Sequence, residues 1–115
     1  MNHDPNCIFC KIIAGQIPAK KVYEDDQVLV FHDIHPWAPV HILLIPKTHI
    51  ETLADITPEH AALMGHMGTL APRLMKELGV TNGFRTIINS GPDGGQEVYH
   101  LHMHAIGGPR PWLKG

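Results

Sequence analysis

Apolar residues occur in short continuous runs along the first half of the chain. Val28–His32 and His41–Ile45 are almost entirely apolar, which is typical of strands that are covered on both faces. Lys21–Glu24 reads as a further short strand, and Asp25-Asp26 predicts the turn of a hairpin. The prolines of His35–Pro39 cannot donate to a β-ladder, so a loop is expected between the second and third strands.

The remaining apolar positions predict two helices and two more strands. Phe9–Ala14 is a short helix candidate, and Thr57-Pro58-Glu59 supplies the N-cap, first-turn proline and acidic residue of a long one. The apolar positions of the long helix recur every three or four residues: Leu63, Met67, Leu70, Leu74 and Leu78. Further strands are predicted at Phe84–Asn89 and Tyr99–Ile106. Since βαβ units do not recur, we expect an α+β fold with a five-stranded, mainly antiparallel sheet, one long helix and one short helix.

Length and composition narrow the function classes. A chain of 115 residues with 43% hydrophobic and 17% charged residues is expected to form one globular domain. Its net charge of -2 provides no basic field for a polymeric nucleic acid. The N-terminus lacks a secretion signal, and the longest apolar run, Ile42–Ile45, is too short to cross a membrane. We therefore expect a cytoplasmic protein that binds neither nucleic acid nor membrane.

The two cysteines of the chain form a C-x-x-C at Cys7 and Cys10. Without a secretion signal this pair is not a disulfide framework, and it indicates either half of a metal site or a redox pair. A redox C-x-x-C of the thioredoxin type follows a strand and precedes a helix, which this N-terminus does not predict.

Histidine is the unusual feature of the composition, with ten residues in the chain. On a strand, the alternation in His100–His104 would place three imidazoles on one face. Two uses of such a row compete: metal ligation, and phosphorus chemistry in which a neutral imidazole attacks while others donate hydrogen bonds to phosphate oxygens. The glycine-rich Gly91–Gln96 allows backbone N–H groups to approach an anion and favours phosphate. His3, His35, His60 and His66 are interpreted as surface or helix residues.

The pattern H-x-H-x-H followed by two apolar residues, at His100–Ile106, resembles the signature of the histidine triad (HIT) family. The supporting segments are Ile17–Lys20, Phe31–Ile34, Ala38–His41, Ile45–Lys47, Gly94–Gln96 and Gly107-Gly108. The resemblance spans Cys7 to Trp112 and is to the Hint branch, whose members resemble purine nucleoside phosphoramidases. It implies a single HIT domain over residues 1–115, with tails at 1–6 and 109–115, and a homodimer.

The resemblance implies a catalytic set of His102, His104, His41 and His100. His102 would attack the α-phosphorus of a purine nucleoside 5′-phosphoramidate, and water would hydrolyse the resulting nucleotidyl-histidine to release AMP or GMP. His104 and His41 would contact phosphate oxygens, while the His100 carbonyl would accept a hydrogen bond from His102.

The resemblance also implies a set of substrate contacts: Asp33, Ile34, His32, Asn89, Gly95, Gln96, Glu97 and Val98. Asp33 would accept from the ribose hydroxyls, and Asn89 and the Gly95–Val98 backbone would border the phosphate. The base would lie in an apolar slot formed by Phe9, Ile12, Phe31, Ile34 and Leu43. Glu97 stands where animal relatives carry a serine implicated in protonating the amine, so it either replaces that serine or faces solvent.

In some bacterial members of the family, a C-x-x-C pairs with two histidines around zinc. The corresponding residues here are Cys7, Cys10, His49 and His100. The expected zinc is structural, and no cofactor is required for catalysis. Three alternatives remain open: a dinucleoside polyphosphate hydrolase, a zinc-dependent hydrolase, for which no H-E-x-x-H spacing exists, and a zinc- and nucleotide-binding adaptor without turnover.

Overall fold

Five strands form one antiparallel sheet in the order β1-β2-β3-β5-β4. The computed structural model describes residues 3–113. The elements are α1 (Ile8–Ile13), β1 (Lys21–Glu24), β2 (Val28–His32), β3 (Val40–Pro46), two 3-10 turns (Leu53–Asp55 and Pro58–His60), α2 (Ala61–Glu77), β4 (Phe84–Ile87) and β5 (Met103–Gly107). This architecture confirms the predicted α+β class with its short helix, long helix and five strands. Over the described range, no helix is long and apolar enough to cross a membrane.

The two faces of the sheet are covered by different helices. Along β3, Ile42 and Leu44 belong to the cluster that packs on α2, while Leu43 and Ile45 belong to the cluster around α1. This alternation follows from the period of two along a strand. The α2 cluster is purely apolar and includes Met67, Leu70, Ala71, Leu74 and Met75. The opposite face of the sheet is therefore the one on which polar side chains can be gathered.

The last strand is shorter than its sequence pattern predicts. The prediction of a strand over Tyr99–Ile106 is wrong about where the strand begins, because β5 starts only at Met103. Before that point the backbone leaves the ladder: the Leu101 N–H donates to the Ile50 carbonyl at 2.7 Å. His100 and His102 therefore precede the strand, and only His104 of the three alternating histidines lies within it.

A single carboxylate joins the β1–β2 turn to α2. The Asp25 carboxylate accepts hydrogen bonds from the Gln27 and Val28 amides at 2.8 Å each, from the Tyr23 hydroxyl at 2.8 Å and from His66 Nε2 at 2.6 Å. Burial alone would raise the pKa of Asp25, but these four donors hold it well below its usual range. His66 lies on α2, as expected, and also forms its link to the hairpin.

Replacing Asp25 by asparagine is expected to lower the free energy of unfolding at pH 7 by roughly 1.5–3 kcal/mol, since hydrogen bonds to a charged acceptor are lost. A carboxyl whose pKa is depressed on folding stabilises the fold above the ordinary aspartate pKa of about 3.9 and loses that contribution below it. The difference between parent and Asp25→Asn should therefore be largest above pH 5 and narrow below about pH 4. Urea unfolding at several pH values measures it, with the exposed Asp26→Asn as the matched control. Equal losses in both variants would show that the four hydrogen bonds contribute little.

Candidate active site

The register between β3 and β5 brings two predicted catalytic histidines together. His41 is opposite Ile106 and His104 is opposite Leu43, so the two histidines are diagonal neighbours on the face away from α2. Their rings are joined by a hydrogen bond of 2.8 Å between His41 Nε2 and His104 Nδ1. Both residues are buried. Sequence positions 63 residues apart thus form one pair of imidazoles.

Backbone groups decide which nitrogen of this pair carries the proton. The Trp37 backbone N–H donates to His41 Nδ1 at 3.1 Å, so Nδ1 carries a lone pair and the His41 proton lies on Nε2. His41 Nε2–H then donates to His104 Nδ1, which leaves the His104 proton on Nε2. His104 is therefore a donor through Nε2 in its neutral form.

His102 has the opposite arrangement of proton and lone pair. Its Nδ1 lies 2.7 Å from the His100 carbonyl oxygen, which can only accept, so the His102 proton lies on Nδ1. Nε2 consequently carries the lone pair. The rings of His102 and His104 are 5.0 Å apart between centroids. A neutral imidazole that carries a lone pair on Nε2 thus lies next to an imidazole that donates.

Burial keeps these rings neutral. Desolvation is the main cause that lowers the pKa of His41, His102 and His104, that of His104 to about 4. The charge of Asp33 opposes this shift in all three rings, but does not reverse it. At neutral pH, the lone pair of His102 is therefore available for attack on an electrophile.

Asp33 lies at the end of this histidine group. One carboxylate oxygen accepts a hydrogen bond from the His35 backbone N–H at 2.7 Å, and the other is 3.5 Å from His41 Nε2. Its side chain keeps 19% of its surface exposed. The structure thus brings this predicted ribose-binding residue to the imidazoles and leaves one edge of the carboxylate accessible.

The predicted base-binding residues divide into two groups. Phe9, Ile12, Phe31 and Leu43 are buried together in the cluster around α1, and the Phe9 ring meets the His102 ring edge-on at 5.2 Å. Ile34 is instead 85% exposed and belongs to no such cluster. His32, at the end of β2, and Asn89, beyond the end of β4, are half-buried. Their predicted contacts with substrate stay predictions.

Gln96 holds the glycine-rich loop in place through its side chain. Its Oε1 accepts from the Gly91 N–H at 2.9 Å, and its Nε2 donates to the carbonyls of Glu51 at 2.7 Å and Val98 at 3.0 Å. Gly94 lies so close to Ser90 that a Cβ there would meet the Ser90 carbonyl oxygen at 2.3 Å. The loop conformation therefore depends on both the glycine and the amide, and the predicted contacts of Gly95–Val98 with a phosphate would come from the backbone.

The four predicted metal ligands lie together. The Sγ atoms of Cys7 and Cys10 and the Nδ1 atoms of His49 and His100 are all within 4.8 Å of one another. The Nδ1 atoms of His49 and His100 are 3.2 Å apart, and His100 Nδ1 is 3.2 Å from Cys7 Sγ. His100 Nε2 donates to the Pro46 carbonyl at 2.7 Å, so its Nδ1 lone pair faces the sulfur atoms. Two thiolates and two imidazoles are a ligand set that suits tetrahedral zinc.

Sequence reasoning missed Asp4, which contacts this cluster. Its backbone N–H donates to Cys10 Sγ at 3.4 Å, and its carboxylate is 3.9 Å from His49 Nε2. A carboxylate behind a ligating histidine orients the ring and increases its basicity. Asp4 and Glu97, together with Glu51, line a cavity of about 290 Å³ beside His49. The exposed Glu97 thus lies near the four predicted metal ligands. No sequence pattern indicates that Asp4 and Glu97 approach them.

Trp37 is the second residue that sequence reasoning missed. Its indole is stacked on the His104 ring, with 5.1 Å between centroids and 17° between planes, and is tilted over the His41 ring at 5.0 Å. The flanking prolines predicted only a loop at this position. An aromatic residue between two prolines was the one available signal, and it does not reveal what the ring contacts.

Comparison with known proteins identifies the family to which the chain belongs. The model of the HIT domain family matches residues 14–110. Protein HitA of Neisseria gonorrhoeae is 55% identical over 104 residues, which cover 90% of this chain and 97% of that protein. The purine nucleoside phosphoramidase of Escherichia coli K12 is 48% identical over 102 residues, covering 88% and 86% of the two chains.

Solved structures of similar sequence have the same fold. A histidine triad protein from Clostridium difficile superimposes with a TM-score of 0.90 at 47% identity, covering 95% of this chain and 96% of that one. A HIT family hydrolase from Legionella pneumophila gives 0.88 at 44% identity, with 91% and 95% covered. A zinc-bound histidine triad family protein from Mycobacterium smegmatis gives 0.78 at 38% identity, with 89% and 74% covered.

The buried His104 is expected to stay neutral well below the ordinary histidine pKa of about 6.5. An NMR titration of the ring signals should place its midpoint near the value of about 4 that burial imposes, with the urea-unfolded chain as the reference. Between these two values the unfolded chain binds a proton that the folded ring does not, so this group favours unfolding as the pH falls from 6.5 to 4. A folded-state midpoint near 6.5 would contradict the assigned burial and hydrogen bonding.

Proposed function

The chain belongs to the HIT domain family and is a hydrolase of the histidine triad type, and on this premise we propose that it cleaves the P–N bond of purine nucleoside 5′-phosphoramidates. The products are a free amine and AMP or GMP. The observation that carries the proposal is the proton arrangement of the site, in which His102 Nε2 holds a lone pair beside the donor His104. The E. coli relative named as a purine nucleoside phosphoramidase supports the choice of substrate.

In the first step, His102 Nε2 attacks the α-phosphorus. A phosphorus–nitrogen bond forms to the imidazole as the bond to the amine breaks, and the amine nitrogen takes a proton from solvent water as it leaves. His104 Nε2–H donates to a phosphoryl oxygen, where negative charge grows in the transition state. His41 supports this donor by donating in turn to His104 Nδ1. The ring of His102 becomes positively charged, and its Nδ1–H bond to the His100 carbonyl strengthens accordingly.

In the second step, water attacks the phosphorus of the nucleotidyl-histidine. As the new phosphorus–oxygen bond forms, the water gives up one proton to solvent. The bond to His102 breaks, and the ring recovers its Nε2 lone pair as the nucleoside monophosphate leaves. A protonated imidazole is a good leaving group from phosphorus, which makes histidine suited to both steps. The Asp33 carboxylate is proposed to hold the ribose hydroxyls throughout, consistent with its partial exposure beside the rings.

We further propose that Cys7, Cys10, His49 and His100 bind a structural zinc ion. The inward lone pair of His100 and the spacing of the four donors fit a tetrahedral ion. Zinc would supply a cross-link between the segments that carry these residues. His100 also holds His102 through its carbonyl, so its restraint by a metal would brace the nucleophile. Catalysis itself is proposed to need no metal.

A cytoplasmic homodimer completes the proposal. β4 is an edge strand of the sheet, and Phe84, at its beginning, is 40% exposed. An exposed edge strand with an apolar residue is a surface on which a second copy can pack. The resemblance to Hint proteins assigns the dimer contact to the long helix and an adjacent strand, which here are α2 and β4.

His102→Ala is expected to abolish turnover of adenosine 5′-phosphoramidate, lowering kcat/KM by about a thousandfold or more because the nucleophile is lost. Intact-protein mass spectrometry during turnover should show a nucleotide adduct on the parent and none on the variant. His60→Ala, a histidine at the start of α2, is the matched control and should keep parental activity. Normal turnover by His102→Ala would refute the nucleophile assignment, and loss of activity on chelation of the folded protein would favour a metalloenzyme.

The zinc proposal predicts about one zinc ion per purified chain, measured by elemental analysis. Cys10→Ala should lose the metal and lower the melting temperature, while Asp4→Asn should weaken zinc affinity by about tenfold through loss of the carboxylate behind His49. The exposed His35→Ala serves as the histidine control and should keep the parental zinc content. Equal zinc contents in parent and Cys10→Ala would place the metal elsewhere.

A further inference from the structure

We propose that the Trp37 indole is a positioning residue for His104, holding the plane of this ring so that Nε2–H is presented to the phosphoryl group. The proposal rests on the function proposed above, in which His104 is a hydrogen-bond donor. It concerns the Trp37 side chain, whereas the proton of the His41–His104 pair is assigned through the Trp37 backbone. The two roles can be separated, because a substitution at Trp37 keeps the backbone N–H.

The ring geometry supports a positioning role. The indole and the His104 imidazole lie nearly parallel, with 17° between planes and 5.1 Å between centroids, which is an offset-stacked arrangement. The same indole meets the His41 ring at 59° and 5.0 Å. One aromatic side chain thus contacts both members of the hydrogen-bonded pair. An aliphatic side chain of similar volume would fill the space but offer no flat surface to the imidazole.

The backbone around Trp37 is restrained on several sides. Its N–H donates to His41 Nδ1 at 3.1 Å, and its carbonyl accepts from the Leu113 N–H at 2.6 Å. At the beginning of the loop, the Asp33 N–H donates to the His41 carbonyl at 2.9 Å, and the Asp33 carboxylate accepts from the His35 N–H. The indole is therefore mounted on a segment that is tied to β3 and to the C-terminal residues, which a positioning side chain requires.

Besides the indole, the His104 ring has a hydrogen bond from His41 and an edge contact with the His102 ring at 5.0 Å. The bond from His41 Nε2 fixes the position of Nδ1 but not the plane of the ring about that contact. A tilt would move Nε2–H away from the phosphoryl oxygen and weaken a contact that matters most in the transition state. Stacking removes this freedom.

The experiment compares Trp37→Leu with Trp37→Phe, which keeps a flat aromatic ring, and with Trp112→Leu as the matched tryptophan control. We expect Trp37→Leu to lower kcat by about tenfold with KM changed less than about twofold, as a contact formed mainly in the transition state requires. Trp37→Phe should recover most of that loss. Trp112→Leu should keep the parental NMR signals of the His104 ring, because the Trp112 indole contacts Arg85 and Arg110 rather than the histidines.

A second readout does not depend on turnover. Nitrogen-15 NMR of the imidazoles in the resting protein distinguishes Nδ1–H from Nε2–H, and the parent should show His104 as a single Nε2–H form. In Trp37→Leu the proton should stay on Nε2, because the backbone N–H at position 37 is kept, but relaxation of the His104 ring signals should report a lower order parameter, with Trp37→Phe closer to the parent. Should Trp37→Leu fail to fold, as judged by its amide spectrum, Trp37→Met replaces it.

Parental kcat together with an unchanged His104 signal in folded Trp37→Leu would overturn the proposal. A rise in KM without a fall in kcat would also overturn it, since Trp37 would then bind substrate rather than position His104. Failure of the proposed function has a different signature: the parent itself would neither turn over adenosine 5′-phosphoramidate nor form the adduct on His102. The NMR comparison would still decide in that case whether the indole orders the His104 ring.

Discussion

The protein depends on satisfying buried, uncharged imidazoles with hydrogen bonds from the backbone. A ring nitrogen removed from water must find a partner or lose free energy, and among residues 3–113 no fully buried side-chain nitrogen or oxygen lacks one. The carbonyl of Pro46 fixes the proton of His100, that of His100 fixes the proton of His102, and the N–H of Trp37 fixes that of His41. Each assignment leaves a defined lone pair or donor for chemistry. Burial and function thus arise from the same contacts.

His100 joins the two sites of the molecule. Its Nδ1 faces the sulfur atoms of Cys7 and Cys10, while its carbonyl orients His102. Both tasks require the chain to leave the ladder before Met103, because a regular strand would project the His100 ring alongside that of His104. The bond from the Leu101 N–H to the Ile50 carbonyl stabilises this departure. The irregular segment therefore separates the cluster of cysteines and histidines that includes His100 from the His102 imidazole two residues away.

The sequence was sufficient for the elements whose pattern is local and for the residues named by the triad motif. The hairpin of β1 and β2 has the predicted bounds, and the two cysteines and two histidines that the family resemblance names as zinc ligands lie together. The beginning of β5 was not predictable, since it is decided by a carbonyl about fifty residues earlier in the chain. Trp37 and Asp4 could not be predicted as site residues for the same reason. Their contacts are with rings and sulfur atoms that approach only in the folded chain.

The sheet can hold this site because one of its faces is packed by an apolar cluster and the other bears the histidines. On the α2 side, branched and sulfur-containing side chains form a continuous apolar cluster whose burial favours folding. On the other side, the neutral rings of His41, His102 and His104 are buried at a cost that increases as the pH falls, because protons bind more readily to the unfolded chain. The Asp25 carboxylate, which ties α2 to the hairpin, keeps its charge through that same range of mildly acidic pH. The contact that anchors α2 to the hairpin therefore does not titrate together with the imidazoles of the site. Protonation of those rings need not loosen the helix.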